Sequence, residues 1–424
     1  MCYLCKKKNH QNMRILQISD IHWHLCHVWN EEFGGMKKGF SIDMKNYKEE
    51  GNHIDYIFIC GDIANKGQPD EFNSASEYIN RICDDVGCSV ENVFVVPGNH
   101  DLDREAGDKG FRSIISGALS FDMQNNTYLD DVILKRKDYA QTMYAPFEAY
   151  NEFAKKYLCR EPLMDKVLTS KDNLEVADSD NMFFYEPLEF DGDIKVSITC
   201  VNTALNCDSS DFNGENAGHK QMLPKRAYFK EDSGKQELRI IMGHHPLEFL
   251  TSEKEVEGYL NTHYQIQLFG HVHLQKVVGD NYVRVTSGAF NPPRSQEKPD
   301  EYLPIFNIIE ITQINDNTIK VTGESHKWNT KEFQKYDEGC FDKEITIERD
   351  VNRWQTKMGK DKEFSHRRVK YKYIRRDDRK SFFNKISGID FKPDCNKSDY
   401  DQALDFIAEV ERMGKLYELW ELMK

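Results

Sequence analysis

"VVPGNHDLD", residues 95–103, runs a core-like strand straight into a turn and three ligand-type side chains. Val93, Phe94, Val95 and Val96 read as a short buried strand; Pro97-Gly98 stops it, and Asn99, His100 and Asp101 follow at once. The same grammar recurs along the chain. "MRILQIS" (13–19) leads into Asp20 and His22, and "IDYIFIC" (54–60) into Gly61-Asp62. "ELRIIMG" (237–243) leads into His244 and His245, and "YQIQLFG" (264–270) into His271 and His273. Each run is short and apolar, which suits strands buried on both faces. Loops leaving the carboxyl ends of such strands gather on one side of a sheet, so five ends bring their side chains together.

The intervening text supplies helices. "PDEFNSASEYINRICDDV" (69–86) spaces Phe72, Ala75, Ile79 and Ile82 at three- and four-residue steps and predicts a helix. Residues 104–190 interrupt the pattern with Tyr- and Lys-rich helical text such as "RKDYAQTMYAPFEAYNEFAKKYL", an insertion expected to roof the pocket. Strand text resumes with "DIKVSITCVNT", "YVRVTSGAF" and "PIFNIIEIT", then turns polar and basic from about residue 325. In "SDYDQALDFIAEVERMGKLYELWELM", Ser398 and Asp401 have capping-box spacing, and Gly414 offers a stop between two helices. The expected organisation is a catalytic domain over 13–325 carrying the insertion at about 104–190, a basic linker or extension over 326–374, and a helical tail over 375–424. The strand grammar alone suits a doubly wound parallel sheet.

Bulk properties narrow the class. The chain has 424 residues, 39% hydrophobic and 30% charged, the balance of a globular protein with ample core. No window approaches the roughly eighteen apolar residues of a membrane span, and "MCYLCKKKNHQNMR" lacks the apolar stretch of a secretory signal. Eleven scattered cysteines argue for reduced thiols and a cytoplasmic location. Cys2 and Cys5 have metal-knuckle spacing but no second pair, so they read as an unliganded terminus. A net charge of −14 disfavours a general nucleic-acid binder. Residues 351–380 run the other way, with twelve Lys/Arg against four acids. That strip reads as a solvated face or as a polyanion contact.

The strand-end residues themselves indicate chemistry. Asp, His and Asn without Cys are hard-to-borderline ligands suited to Mn²⁺, Fe or Zn²⁺. A carboxylate between two cations offsets their repulsion, and cations about 3.5–4 Å apart can clamp a phosphate during in-line attack. His24, His27, His53 and His263 fall outside the pattern and read as ordinary histidines.

"DIH", "GDIANKG", "GNHD", "GHHP" and "GHVH" together resemble the five signature blocks of the calcineurin-like metallophosphoesterases, over roughly residues 13–312. The resemblance implies an α/β fold of four layers, a two-sheet β-sandwich flanked by helices, rather than one doubly wound sheet. It implies that Asp20, His22 and His273 bind one metal, that Asn99, His244 and His271 bind a second, and that Asp62 bridges them. His100 would face the phosphate and protonate the leaving oxygen, with Asp101 orienting His100. Two divalent ions, Mn²⁺ foremost with Fe or Zn²⁺ as alternatives, are the implied cofactors.

"GDIANKGQPDEF", "GNHDLDR" and "GHHPL" look most like the bacterial class III cyclic-nucleotide phosphodiesterase branch, so the implied substrate is a nucleotide-type phosphodiester. Two alternatives remain open. One is a DNA or RNA nuclease of the repair-exonuclease type, using the basic strip with Trp354, Tyr371 and Tyr373 as stacking residues. The other is a non-catalytic, metal-bearing scaffold. "ALDFIAEVERMGKLYELWELM" resembles the last helices of death-like effector-associated modules. That resemblance implies an adaptor or NTPase partner and an effector role in bacterial defence.

Overall fold

The computed structural model describes residues 12–24, 27–107, 109–121, 136–160, 183–190, 192, 194–208, 221, 223, 228, 237–251, 253–292, 302–315, 317–347 and 364–424. In chain order the strands are β1 (Asn12–Ile18), β2 (Tyr56–Ile59), β3 (Val93–Val95), β4 (Phe183–Leu188), β5 (Lys195–Val201), β6 (Glu237–Met242), β7 (Ile266–Phe269), β8 (Lys276–Val278), β9 (Val283–Thr286), β10 (Ile305–Gln313), β11 (Thr318–Trp328), β12 (Phe333–Lys335) and β13 (Phe341–Thr346). The α-helices are α1 (His27–Glu49), α2 (Pro69–Val86), α3 (Lys109–Phe121), α4 (Lys137–Tyr144), α5 (Glu148–Ala154), α6 (Glu253–His263), α7 (His366–Ile374), α8 (Asp399–Arg412) and α9 (Leu416–Met423).

The strands form two sheets. One has the order β12-β11-β10-β1-β2-β3, with β13 also paired to β11; the other runs β4-β5-β6-β7-β9-β8. β1, β2 and β3 are parallel, as are β5, β6, β7 and β9, whereas β10 lies antiparallel to β1. Side-chain alternation explains the layering. Leu238, Ile240 and Met242 of β6 join the core that also holds the first sheet, while Ile241 between them joins a second core with Ala140 and Met143 of α4 and Leu260 of α6. A period of two thus feeds the sheet–sheet interface on one face and a helical layer on the other. The fold is the two-sheet sandwich flanked by helices, not a single doubly wound sheet.

α2 spans the residues its periodicity predicts. Pro69 opens it, the Gln68 N–H donates to the Glu71 carboxylate at 3.2 Å, and Gly87, at φ 74°, turns the chain away. The insertion joins this layer: Phe153 of α5 stacks on Phe72 of α2 with ring centroids 5.0 Å apart. Its other anchor is buried Arg112 of α3, which donates to the carbonyls of Leu205 and Cys207 after β5 and of Met143 in α4. The described helices of 104–160 therefore pack as helical layer, but the expected insertion ends short of 190, because β4 pairs antiparallel with β5 at the edge of the second sheet; 108, 122–135 and 161–182 lie outside the described residues.

The chain divides into two compact units, Met1–Val351 and Asn352–Lys424. The stretch 326–374, expected as a basic linker or extension, is shared between them. β12 and β13 complete the first sheet because β11 is long enough to pair with both, and α7 belongs to the second unit. Within that unit Phe406 of α8 packs against Tyr373, Phe383 and Phe391, with centroids 5.4, 4.9 and 5.2 Å away. Ser398 caps α8 by accepting from the Asp401 N–H at 3.2 Å, and Gly414 breaks the helix at φ 69°. Tyr373 is buried, and Tyr371 lies under the Arg375 guanidinium at 3.5 Å, so neither ring is presented as an open stacking platform. Lys370, Arg376 and Lys380 pair with Glu411, Asp378 and Asp399. Cys2, Cys5 and Trp354 lie outside the described residues. Among the described residues no helix is long and apolar enough to cross a membrane.

Candidate metal centre

The ligand-type residues lie just beyond the carboxyl ends of β1, β2, β3, β6 and β7. Backbone bonds continue the parallel ladders past the strands: the Asp20 N–H donates to the Gly61 carbonyl at 3.0 Å, and the His22 N–H to the Asp62 carbonyl at 2.9 Å. In the second sheet the Gly270 N–H donates to the His244 carbonyl at 2.9 Å. The His271 N–H crosses between sheets to Asp20 Oδ2 at 3.1 Å.

Local backbone strain marks the same place. Among the described residues seven non-glycine positions have positive φ, and five belong to this cluster: Asp20 at 54°, His22 at 45°, Asp62 at 51°, His271 at 72° and His273 at 60°. Such conformations cost about 1–3 kcal/mol each and persist where the surroundings over-determine them. Glycine clears the necessary space. A Cβ on Gly98 would overlap the Asp62 carboxylate, and one on Gly270 would overlap Ser19 Oγ and reach 2.9 Å from Asp20 Oδ2.

All seven expected ligands converge, in two groups. In the first, His22 Nε2 and His273 Nε2 are 3.2 Å apart, and Asp20 Oδ1 lies 3.2 Å from His273 Nε2 and 3.8 Å from His22 Nε2. In the second, Asn99 Oδ1 is 3.1 Å from both His244 Nε2 and His271 Nδ1. Asp62 lies between, with Oδ2 3.3 Å from His244 Nε2 and the side chain also grouped with His22 and His100. Donors about 2.1 Å from one cation and at right angles stand roughly 3.0 Å apart, which is the spacing seen here. Two ring nitrogens facing one another, and a wholly buried Asp20 Oδ1 without a conventional hydrogen-bond donor, fit a cation held between them.

Electrostatics carry the same demand. Burial alone would raise the Asp20 and Asp62 carboxyls, but His273 holds Asp20 below the ordinary carboxylate range, and His244 with His100 hold Asp62 well below it. Burial would lower His244, yet the Asp62 carboxylate pushes it up to about 9. Burial leaves His22 at about 3 and His271 at about 4, hence neutral and ready to ligate. Two buried carboxylates thus require positive charge here, and a divalent pair supplies it. Ring orientation agrees: His244 Nδ1–H donates to the Cys60 carbonyl at 2.7 Å, leaving Nε2 to face Asp62 and Asn99.

His100 sits beside the first group, its ring 4.6 Å from that of His22, and its N–H donates to Asp62 Oδ1 at 2.7 Å. The expected aiming of His100 by Asp101 needs correction. His100 Nδ1–H donates to the carbonyl of Asn65 at 2.9 Å. Asp101 is wholly buried, and its two oxygens accept from the Ala64 N–H at 2.7 Å and the Gly98 N–H at 2.9 Å. It staples the second and third strand-end loops together through their backbone N–H groups. Sequence reading missed Asn65 and Cys60 as orienting groups because each acts through a backbone carbonyl. It also left aside His245, whose Nδ1 meets Thr203 Oγ1 at 2.9 Å in a site so buried that its ring is held well below the usual range.

A family model described as "Calcineurin-like phosphoesterase" matches residues 13–275. The chain belongs to that family. The family's members are metal-dependent phosphoester hydrolases with a dinuclear divalent site, and this chain presents the His and Asp groups for one. A Bacillus subtilis relative, the uncharacterized metallophosphoesterase-like protein YydB, is 25% identical over 333 residues, covering 75% of this chain. The chain spans 60% of that relative's length. Solved structures similar to it include GAP50 of the Plasmodium inner membrane complex, at 12% identity with a TM-score of 0.37, covering 80% of this chain and 90% of that one. A phosphatase from Mycoplasma pneumoniae is also similar, at 12% identity and a TM-score of 0.31, covering 80% and 95%.

Proposed function

We propose that this phosphoesterase hydrolyses a nucleotide-type phosphodiester with two divalent ions, Mn²⁺ foremost. Asp20, His22 and His273 would hold one ion, Asn99, His244 and His271 the other, with Asp62 between them. The observation that carries the reading is the convergence of two three-residue ligand groups on either side of one buried carboxylate. When bound, such a pair supplies Lewis acidity for in-line displacement at phosphorus. The protein's own groups do the rest. Asp62 accepts from the His100 N–H and so ties the acid–base residue to the ligand cluster. The Asn65 carbonyl holds Nδ1–H, which leaves Nε2 to donate a proton to the departing oxygen. The alkoxide that leaves any phosphoester needs that proton; the diester reading itself is supported by the likeness of "GNHDLDR" and "GHHPL" to the cyclic-nucleotide branch.

The test is a panel with added Mn²⁺: bis-p-nitrophenyl phosphate, cyclic AMP and GMP, cyclic dinucleotides, and single- and double-stranded DNA and RNA. Cleavage of polynucleotides alone would favour the nuclease, and cleavage of monoesters alone would remove the diesterase. His100→Asn should keep the metal content and lower kcat by about 100- to 10,000-fold; unchanged activity would remove the proposed acid.

A recruitment role for the second unit, as an adaptor-type module for an NTPase or sensor in a defence system, is supported by the aromatic core that Tyr373, Phe383, Phe391 and Phe406 form within it. Deleting residues 352–424 should leave hydrolysis of bis-p-nitrophenyl phosphate unchanged and abolish co-purification with a partner encoded nearby. Full retention of the partner would end that reading.

A further inference from the structure

The loop from Gly270 to Gln275 carries two of the candidate ligands, His271 and His273, and both sit at positive φ. A strained loop bearing a ligand for each ion needs a clamp at both ends. The Gly270 N–H, bonded to the His244 carbonyl, closes the first end. Gln275 closes the second with three bonds from its side-chain amide. Its Oε1 accepts from the Gly288 N–H at 3.1 Å and from Asn307 Nδ2 at 3.3 Å, and its Nε2 donates to Ser325 Oγ at 3.1 Å.

These partners belong to a buried polar chain running between the two sheets. Asn307 on β10, 1% exposed, also approaches Gln17 Oε1 of β1 at 3.2 Å and Ser287 Oγ at 3.3 Å, and Ser325 Oγ of β11 donates to Asn307 Oδ1. Gln17 Nε2 lies 3.5 Å from Cys60 Sγ, and the Cys60 carbonyl orients His244. The network therefore spans from the His271–His273 loop to the residue that aims His244 and precedes Gly61-Asp62. An apolar core would pack as well and cost less desolvation, so the polar chain is explained by what it aligns.

We propose that Gln275 is a positioning residue for the dinuclear centre, setting His271 and His273 against Asn99 and Asp20 through its amide bonds to Gly288, Asn307 and Ser325. This rests on the two-ion reading above. Gln275→Leu keeps the volume and removes every bond. In the full chain, Mn²⁺ titrated by calorimetry and followed by electron paramagnetic resonance should bind the variant about 10- to 100-fold more weakly. The exchange-coupled signal of a metal pair should give way to that of isolated ions. kcat should fall with little change in KM, while the melting temperature in chelator falls by only a few degrees, the cost of the buried groups left unpaired. Ser325→Ala, which removes the partner of Gln275 Nε2 and leaves the two bonds to Gln275 Oε1, should shift the same signals by a smaller factor and carries the test if the Leu variant does not fold.

Wild-type affinity and an unaltered coupled signal in Gln275→Leu, or in Ser325→Ala where that carries the test, would overturn the proposal alone. Failure of the wild-type protein to take up two ions would remove the two-ion reading and the proposal with it.

Discussion

Asp101→Asn separates a staple from a catalytic orienter. The carboxylate accepts from the Ala64 and Gly98 N–H groups at 2.7 and 2.9 Å in a site with no solvent exposure. Asparagine keeps one acceptor and turns an NH₂ group on the other N–H. A buried donor left unpaired costs about 1–3 kcal/mol. Unfolding entropy of ~2.1 cal/mol/K per residue, taken over the unit Met1–Val351, is about 0.7 kcal/mol/K, so the melting temperature should fall by roughly 1–4 °C. The His100 ring is aimed by the Asn65 carbonyl, which the substitution leaves in place, so kcat should fall by less than about 10-fold. An orienter of the kind found in serine-protease triads would instead cost about 10,000-fold with the fold intact. The assay is calorimetric melting beside Mn²⁺-supported hydrolysis of bis-p-nitrophenyl phosphate. A variant with wild-type melting and a thousand-fold loss of kcat would refute the assignment.

Other perturbations bear on the same site and its scaffold. Chelation should lower the melting temperature, since ions at about 100 times their Kd contribute about 2.7 kcal/mol, and Mn²⁺ should restore it; a melt indifferent to chelator would count against a native metal centre. Gly98→Ala drives a Cβ into the Asp62 carboxylate and should cost about 1–3 kcal/mol together with metal affinity; a variant loading Mn²⁺ like wild type would show the cradle to be looser than described. Burial lowers the pKa of His326, which stacks on Phe306 at 4.8 Å. The unfolded chain therefore takes the proton first, and stability from this residue is lost as pH falls below about 6.5. His326→Phe should become progressively more stable relative to wild type between pH 7 and pH 5; a pH-independent difference would sink that account.

Much of the site was legible along the chain because every ligand follows closely on one of five short parallel strands. Alternation and apolar runs mark β1, β2, β3, β6 and β7, and whatever lies one to five residues past a parallel strand emerges on the functional edge. Hence Asp20, Asp62, Asn99, His244 and His271 could be placed together from one-dimensional text. The helix at 69–86 and the Ser398 cap were legible for the same reason, since propensity and capping act over three or four residues. Long-range pairing was not. That β10 lies antiparallel beside β1, splitting the strands into two sheets, depends on contacts across some three hundred residues that no local pattern encodes. Likewise β12 and β13 fell within a stretch read as basic linker or extension, because a half-exposed edge of short strands carries little apolar signal. The roles of Asn65 and Cys60 reside in carbonyl groups that every residue possesses, so side-chain identity cannot announce them. Only folding decides which carbonyl meets His100, and only folding turns Gln17, Gln275, Asn307 and Ser325 from scattered polar residues into one buried chain.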